Sequence, residues 1–256
     1  MNTFSTISAE LEPPLAKLTL RNPPLNIITL AMMDELAHAL ADIEQSPHVS
    51  VIPIRGEGKT LSAGVDVAAH TPEHAPDMLA KFHAVIRALV ASRKVTVAAV
   101  QGSCLGGAAE LAMVCDLVIT ADNAQWGFPE IKLGCYPPVA CTALAALVGQ
   151  KRASDLILTG RTITGSEAAS IGLATRAVSE NKLHATVEET VQRLSELSPA
   201  VLALTKKATY AWDSMHFDKG LARSEKIYLE ELIKTEDAAE GIASFLEKRP
   251  PDWKGK

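Results

Sequence analysis

Aromatic residues make up only 4% of the 256-residue chain, too few for a base-stacking surface of the kind that binds single-stranded nucleic acid. No block of positive charge appears either; the formal net charge is −5, and Lys206-Lys207 and Lys248-Arg249 are the only basic pairs of note. Nucleic acid is therefore not an expected partner. No apolar run approaches the roughly 20 residues of a membrane span; the longest, 139–148, is interrupted by Thr142. The first ten residues lack the basic start and apolar run of a secretory signal, so a soluble, cytoplasmic protein is expected. The four cysteines (104, 115, 135 and 141) form no C-x-x-C and no ligand-like pairing with histidine, which fits reduced thiols. His70 and His74 stand four apart but beside Pro72 and Pro76 and without a third ligand, so no metal site is expected.

Several glycine motifs are missing too. The chain contains no G-x-x-x-x-G-K-[ST], no G-x-G-x-x-G and no G-x-S-x-G, which argues against nucleotide, dinucleotide and serine-hydrolase chemistry. Gly102, Gly106 and Gly107 superficially resemble a short-chain dehydrogenase turn, but they lie mid-chain, and no tyrosine is followed four residues later by lysine.

What is present is a 47% hydrophobic, 21% charged composition dominated by Ala, Leu, Val and Ile, that of a globular chain long enough for one large α/β domain or a core with an appendage. Alternation or continuous apolar runs predict strands at 15–20, 49–54, 94–100 and 116–120, and a short extended piece at 125–130. Helical spacing and caps predict helices at 29–44, 78–90, 139–149, 152–159 and 166–171. Residues 71–76 read as a polar surface loop. From Lys182 onward strands give way to helices, at 182–197, 199–212, 219–234 and 236–248. The change near residue 196 divides the chain into a mixed part, 1–195, and a helical part, 196–256.

The informative stretch is 97–116, VAAVQGSCLGGAAELAMVCD. A strand that stops at glycine and hands over to a helix leaves unpaired N–H groups at the helix mouth, where the dipole favours negative charge. Glu110 lies three residues past Gly107, on the same helix face, and leans back toward that mouth. An amide donor and an acid/base group thus share one helix end. A first-turn glutamate is also an ordinary capping residue. Glu130, in GFPE, is a second candidate acid, its backbone fixed by the preceding proline; the small residues of LSAG (61–64) would let a ligand approach the chain and supply a second donor.

LSAGVDV (61–67), QGSCLGGAAELAMVCD (101–116) and QWGFPEIKLG (125–134), followed by LTGRTITGSEAASIGLA (158–174) and FLEKRPP (245–251), resemble the crotonase, or enoyl-CoA hydratase/isomerase, superfamily over nearly the whole chain. The resemblance implies an α/β fold with a core of repeated ββα turns and a C-terminal helical trimerisation region, sometimes pairing trimers into hexamers. It implies an acyl-CoA thioester substrate and no cofactor beyond that coenzyme A. It places the oxyanion hole at the N–H groups of Ser62 and Gly107, the acyl-CoA site along Ser62, Ala63, Gly64, Val65 and Gly107, and the catalytic carboxylates at Glu110 and Glu130. Two fixed donors on a developing enolate would each be worth roughly 3 kcal/mol. Family isomerases commonly use one carboxylate, so the pair favours hydration. Many family hydratases carry PGxGGTQ after the second glutamate, where this chain has GCYPPVACTAL (134–144). With NPPLNIITLAMM (22–33), that segment is similar to cyclic dienoyl-CoA hydratases of anaerobic benzoyl-CoA breakdown. A generic short-chain enoyl-CoA hydratase or isomerase is the enzymatic alternative; an inactive scaffold or RNA-binding homologue is the non-enzymatic one.

Overall fold

The computed structural model describes residues 4–210 and 214–254. A six-stranded sheet holds the core. β1 (Ile7–Glu12) pairs antiparallel with β2 (Leu15–Leu20). β3 (Val51–Gly56), β4 (Val95–Val100), β6 (Leu117–Ala121) and β9 (Arg176–Val178) then continue it in parallel, in the order β1-β2-β3-β4-β6-β9. A second sheet of three short strands, β5 (Ser103–Leu105), β7 (Gln125–Gly127) and β8 (Thr162–Thr164), lies in the order β5-β7-β8. All six residues of β4 are buried, as a run apolar but for Thr96 requires of a central strand covered on both faces.

Helices cover that sheet. α1 (Leu30–Gln45) starts where the Thr29 hydroxyl accepts from Met32 N–H, and buries Met32, Met33, Leu36, Ala39, Leu40 and Ile43 at helical spacing. α2 (Ala75–Ala91) packs against it and buries Leu79, Phe82, Ile86 and Leu89. α3 (Gly107–Met113) is buried throughout. α4 (Pro138–Val148), α5 (Gln150–Thr159) and α6 (Gly165–Ser170) follow, and Gly172, at φ +87°, ends the last of these as expected.

The chain runs through these layers in β–β–α units: β4, β5 and α3, then β6, β7 and the helical stretch that leads into α4. A rudimentary earlier unit has β3, an isolated parallel bridge from Ser62 to Cys104, and α2. The bridge is made by Ser62 N–H donating to the Ser103 carbonyl (3.1 Å) and Leu105 N–H donating to the Ser62 carbonyl (3.3 Å).

The C-terminal helices fold back on this core. α7 (Leu183–Ser195) packs on β3, β4 and β6, α8 (Pro199–Thr209) touches β4, and α9 (Ser214–Glu230) lies on α4 and α2. α10 (Glu236–Leu246) braces two short 3-10 turns, at Val67–His70 and Pro129–Leu133. Its approach to the second is close: a side chain at Gly241 would begin 2.3 Å from the Leu133 carbonyl oxygen, so only glycine fits there.

The expected helices and the longer strands are all present. Residues 211–212 of the expected 199–212 helix lie outside the described residues. The 71–76 loop is shorter than expected because α2 begins at Ala75, with Pro76 in its first turn where a missing N–H costs nothing. β1, β5, β8 and β9 were not legible; three of them are three-residue strands held by a sheet partner. In place of an uninterrupted helix to Lys234, α9 ends at Glu230 and a 3-10 turn spans Leu232–Lys234.

The loop before α1 is tied to the chain after β3 by one buried side chain. Asn26, at φ +49°, donates from its amide to the Glu57 and Thr60 carbonyls (2.9 and 3.0 Å), and its own carbonyl accepts from Asn22 N–H (3.0 Å). Asn26→Ala leaves these backbone groups unpaired and is expected to lower unfolding free energy by about 2 kcal/mol, measured by urea denaturation.

Candidate active site

The site is assembled where two of the β–β–α units meet. The segment after Ser62 is pinned from outside by the 22–28 loop: Ala63 N–H donates to Leu25 O (2.9 Å), Ile28 N–H to Gly64 O (2.9 Å), and Asp66 N–H to Ile28 O (3.1 Å). Ile28 and Val65 therefore form a parallel bridge. In such a bridge the bonds are made by the residues flanking Val65, and Val65's own N–H points the other way. Among the described residues neither Val65 N–H nor Gly107 N–H has an acceptor. The second is an orphan by construction, being the first N–H of α3. The two segments touch: a side chain at Gly64 would begin 3.9 Å from Gly107 N, and one at Gly107 would run into Val65 Cγ2 at 2.6 Å.

This corrects the oxyanion pair implied by the resemblance. Ser62 is fully buried, its N–H is spent on Ser103 O, and its hydroxyl accepts from Gly64 N–H (3.0 Å). It reaches neither an incoming oxygen nor the cavity wall. The available donor is three residues on, at Val65. The register makes the same offset twice: Ser62 bridges Cys104, and three residues beyond each stands a free amide, Val65 and Gly107. Of the five residues expected to bind substrate, Ala63, Gly64, Val65 and Gly107 line one cavity and Ser62 does not.

That cavity, of about 70 Å³, brings Glu110 and Glu130 together. Glu110, on α3, is 3% exposed, and one carboxylate oxygen accepts from Ala140 N–H (2.9 Å). α4 has no capping side chain of its own, so the carboxylate of Glu110 serves as its cap from a different element. Glu130 is 7% exposed; its Oε1 lies 2.7 Å from where a Gly106 side chain would begin, and its Oε2 has no partner. Gly106, at φ +54°, is thus required for the turn into α3 and for room beside the acid.

Burial raises both carboxyl pKa values. At Glu110 the rise is opposed by N–H groups of Ala140 and Val139 at the start of α4. At Glu130 the charge of Glu110 adds to the burial and pushes it well above the ordinary value. The environment of the pair is therefore unequal, Glu110 facing the N–H groups of α4 and Glu130 facing the charge of Glu110. The remaining wall includes Phe82, His70, Tyr136 and Tyr228, none of which the sequence singled out for this site. The sequence weighs His70 only as a metal ligand, whereas in the fold its Nδ1 lies 3.0 Å from the Asp66 carbonyl. A larger apolar hollow of about 220 Å³ lies elsewhere, beside the Asp116–Lys206 ion pair (2.7 Å).

A family description, "Enoyl-CoA hydratase/isomerase", matches residues 10–256. The chain belongs to the enoyl-CoA hydratase/isomerase family. Within it, a probable enoyl-CoA hydratase of Mycobacterium tuberculosis is 35% identical over 254 residues, 98% of each chain. A cyclohexa-1,5-dienecarbonyl-CoA hydratase of Thauera aromatica is 33% identical over 247 residues, 96% of this chain and 95% of that one. Among solved structures, an enoyl-CoA hydratase from Mycobacterium avium subsp. paratuberculosis superposes with a TM-score of 0.89 at 26% identity, covering 98% of this chain and 99% of that one. The crotonase-type α/β fold expected from the motifs is the fold found.

Two raised acids in a family-type site have a cost in stability with a defined sign. Above the ordinary carboxylate pKa the unfolded chain has lost protons that the folded site retains, so stability falls as pH rises. Glu130→Gln removes that penalty. Its unfolding midpoint is expected to exceed the parent's at pH 8, with the gap shrinking toward pH 4.5, as followed by thermal denaturation across pH.

Proposed function

We propose that the protein adds water to a conjugated enoyl-CoA thioester, and that its acyl group is a cyclic diene of the cyclohexa-1,5-diene-1-carbonyl type, as formed in anaerobic aromatic degradation. The observation that carries the hydratase reading is the pairing of two buried carboxyls with two free amides on one cavity. The thioester oxygen accepts from Val65 and Gly107 N–H, which stabilise the negative charge it gains as the enolate forms. Glu110, the acid that ionises first, takes a proton from water as the water oxygen bonds to the electron-poor carbon. The π electrons move to the thioester oxygen. Glu130, which holds its proton, delivers it to the carbanionic carbon as the enolate collapses. Atoms and charge balance, and a proton transfer between the acids restores the start.

The ring assignment is supported by Pro138 and Val139, which replace a glycine-rich segment at the start of α4, and by the aromatic residues Phe82, Tyr136 and Tyr228 on the cavity wall. It is also supported by the Thauera relative. A straight-chain short enoyl-CoA is the second reading, favoured by the mycobacterial relative at 35% identity. The exposed Leu197, Val201 and Leu204 of the α8 region, with Phe245 and Leu246 at the end of α10, support assembly of copies through residues 196–256 into a trimer or hexamer. The buried, unpaired Cys104, Cys115 and Cys135 fit a reducing cytoplasm. Among the described residues no helix is long and apolar enough to cross a membrane.

The deciding assay follows loss of conjugated absorbance with crotonyl-CoA, a longer enoyl-CoA and a cyclic dienoyl-CoA. Highest kcat/KM on the cyclic substrate is expected; preference for crotonyl-CoA would replace the ring assignment with the straight-chain one. Glu110→Gln and Glu130→Gln are each expected to lower kcat by about 10²–10⁴-fold while a saturated acyl-CoA still binds. Near-parental turnover in either variant would refute the paired-acid mechanism.

A further inference from the structure

Tyr228, on α9, is 1% exposed and ranks among the largest fully buried side chains of the protein. Its ring meets that of Tyr136 edge to face, with centroids 5.3 Å apart. The two phenols are treated differently. Tyr136 donates its O–H to the Ser224 carbonyl at 2.6 Å, whereas the Tyr228 hydroxyl is buried with the Cys135 thiol, a weak acceptor, beside it and no full hydrogen bond among the described residues. Buried phenols ordinarily pair with a good acceptor, so one left with only a thiol calls for a reason.

Tyr228 lines the cavity that holds Glu110 and Glu130. Glu130 Oε2 is the other buried polar atom on that cavity without a partner. Tyr228 supplies a donor that only the Cys135 thiol approaches, and the Glu130 carboxyl, which keeps a carbonyl oxygen even when protonated, supplies an unused acceptor. A ligand atom that satisfies both must accept one hydrogen bond and donate another, as water and an alcohol do and a hydrocarbon does not.

The tyrosine is also held in place. Glu225, three residues earlier on α9 and so on the same face, lies 2.5 Å from His83 Nδ1 and 2.9 Å from Arg87 on α2. Ser224, the acceptor for Tyr136, adds a second tie from the turn before α4. Two elements that line the site thus fix the segment of α9 that carries the phenol.

We propose that Tyr228 is a third catalytic residue, whose O–H donates to the oxygen being added to the acyl group, as the incoming water and as the hydroxyl of the product. This rests on the hydratase reading. The phenol transfers no proton. It holds one lone pair of the water oxygen so that another faces the electron-poor carbon, while the carboxylates exchange the protons. The C-terminal helix thereby contributes to the chemistry as well as covering it.

The test is Tyr228→Phe, which keeps the ring and removes only the O–H. On whichever enoyl-CoA the parent hydrates, kcat is expected to fall about tenfold or more, the effect of one hydrogen bond to the reacting oxygen, with KM nearly unchanged. Calorimetric titration with 3-hydroxybutyryl-CoA and with butyryl-CoA separates this role from packing. The variant should lose about tenfold affinity for the first and little for the second. Unchanged kcat, or equal losses for both ligands, would overturn the assignment. A parent protein that hydrates no enoyl-CoA would instead count against the hydratase reading, and the two titrations would still decide whether the phenol meets a ligand hydroxyl.

Discussion

The site depends on one short parallel pairing, Ser62 with Cys104. It consumes the N–H of Ser62 and aligns two chain segments that each turn away from the small sheet a few residues later. Val65 and Gly107 emerge with unspent amides, one because its neighbours make the bonds to Ile28 and the other because it starts a helix. Backbone donors need no side-chain ordering when an oxygen arrives, which is why such a pair is effective in a site that must stabilise transient charge. Glycine at 64 and 107 keeps the two segments close enough to touch.

The carboxylates are placed at the expense of stability. Among the described residues neither Glu110 nor Glu130 has a cationic partner, so burial acts on them with little relief. What relief exists is unequal: Glu110 borrows the open N-terminus of α4, and Glu130 receives no such donor at Oε2. That inequality gives two chemically identical groups different environments. The replacement of a glycine-rich segment by Pro138-Val139 gains meaning here, since the helix that those residues begin is the one Glu110 caps.

The last helices complete the enclosure. α10 lies across the turn that carries Glu130, with Gly241 allowing contact at the Leu133 carbonyl. α9 is fastened to α2 by Glu225, His83 and Arg87. The cavity is thus walled by residues as far apart in sequence as Ala63 and Tyr228. A helical C-terminal region that looked like an appendage in the sequence forms part of the site's wall.

The amino-acid sequence alone was enough for the periodic elements, α1, α2 and the buried parallel strands, because a helix or a strand writes its burial pattern into consecutive residues. It was enough, too, to set Glu110 and Gly107 three apart on one helix end, and its motifs pointed to Glu130 and identified the family. It did not determine which amide after β3 is free: Ser62 and Val65 are both small-loop residues in the text, and only the parallel bridge to Cys104 decides that the first is consumed. Nor could it reveal Tyr228, His70 or the capping of α4 by Glu110, since these arise between elements distant in the chain. Local pattern records what a residue does to its own helix or strand, whereas hydrogen-bond partners across elements are settled only when the tertiary fold brings donors and acceptors together.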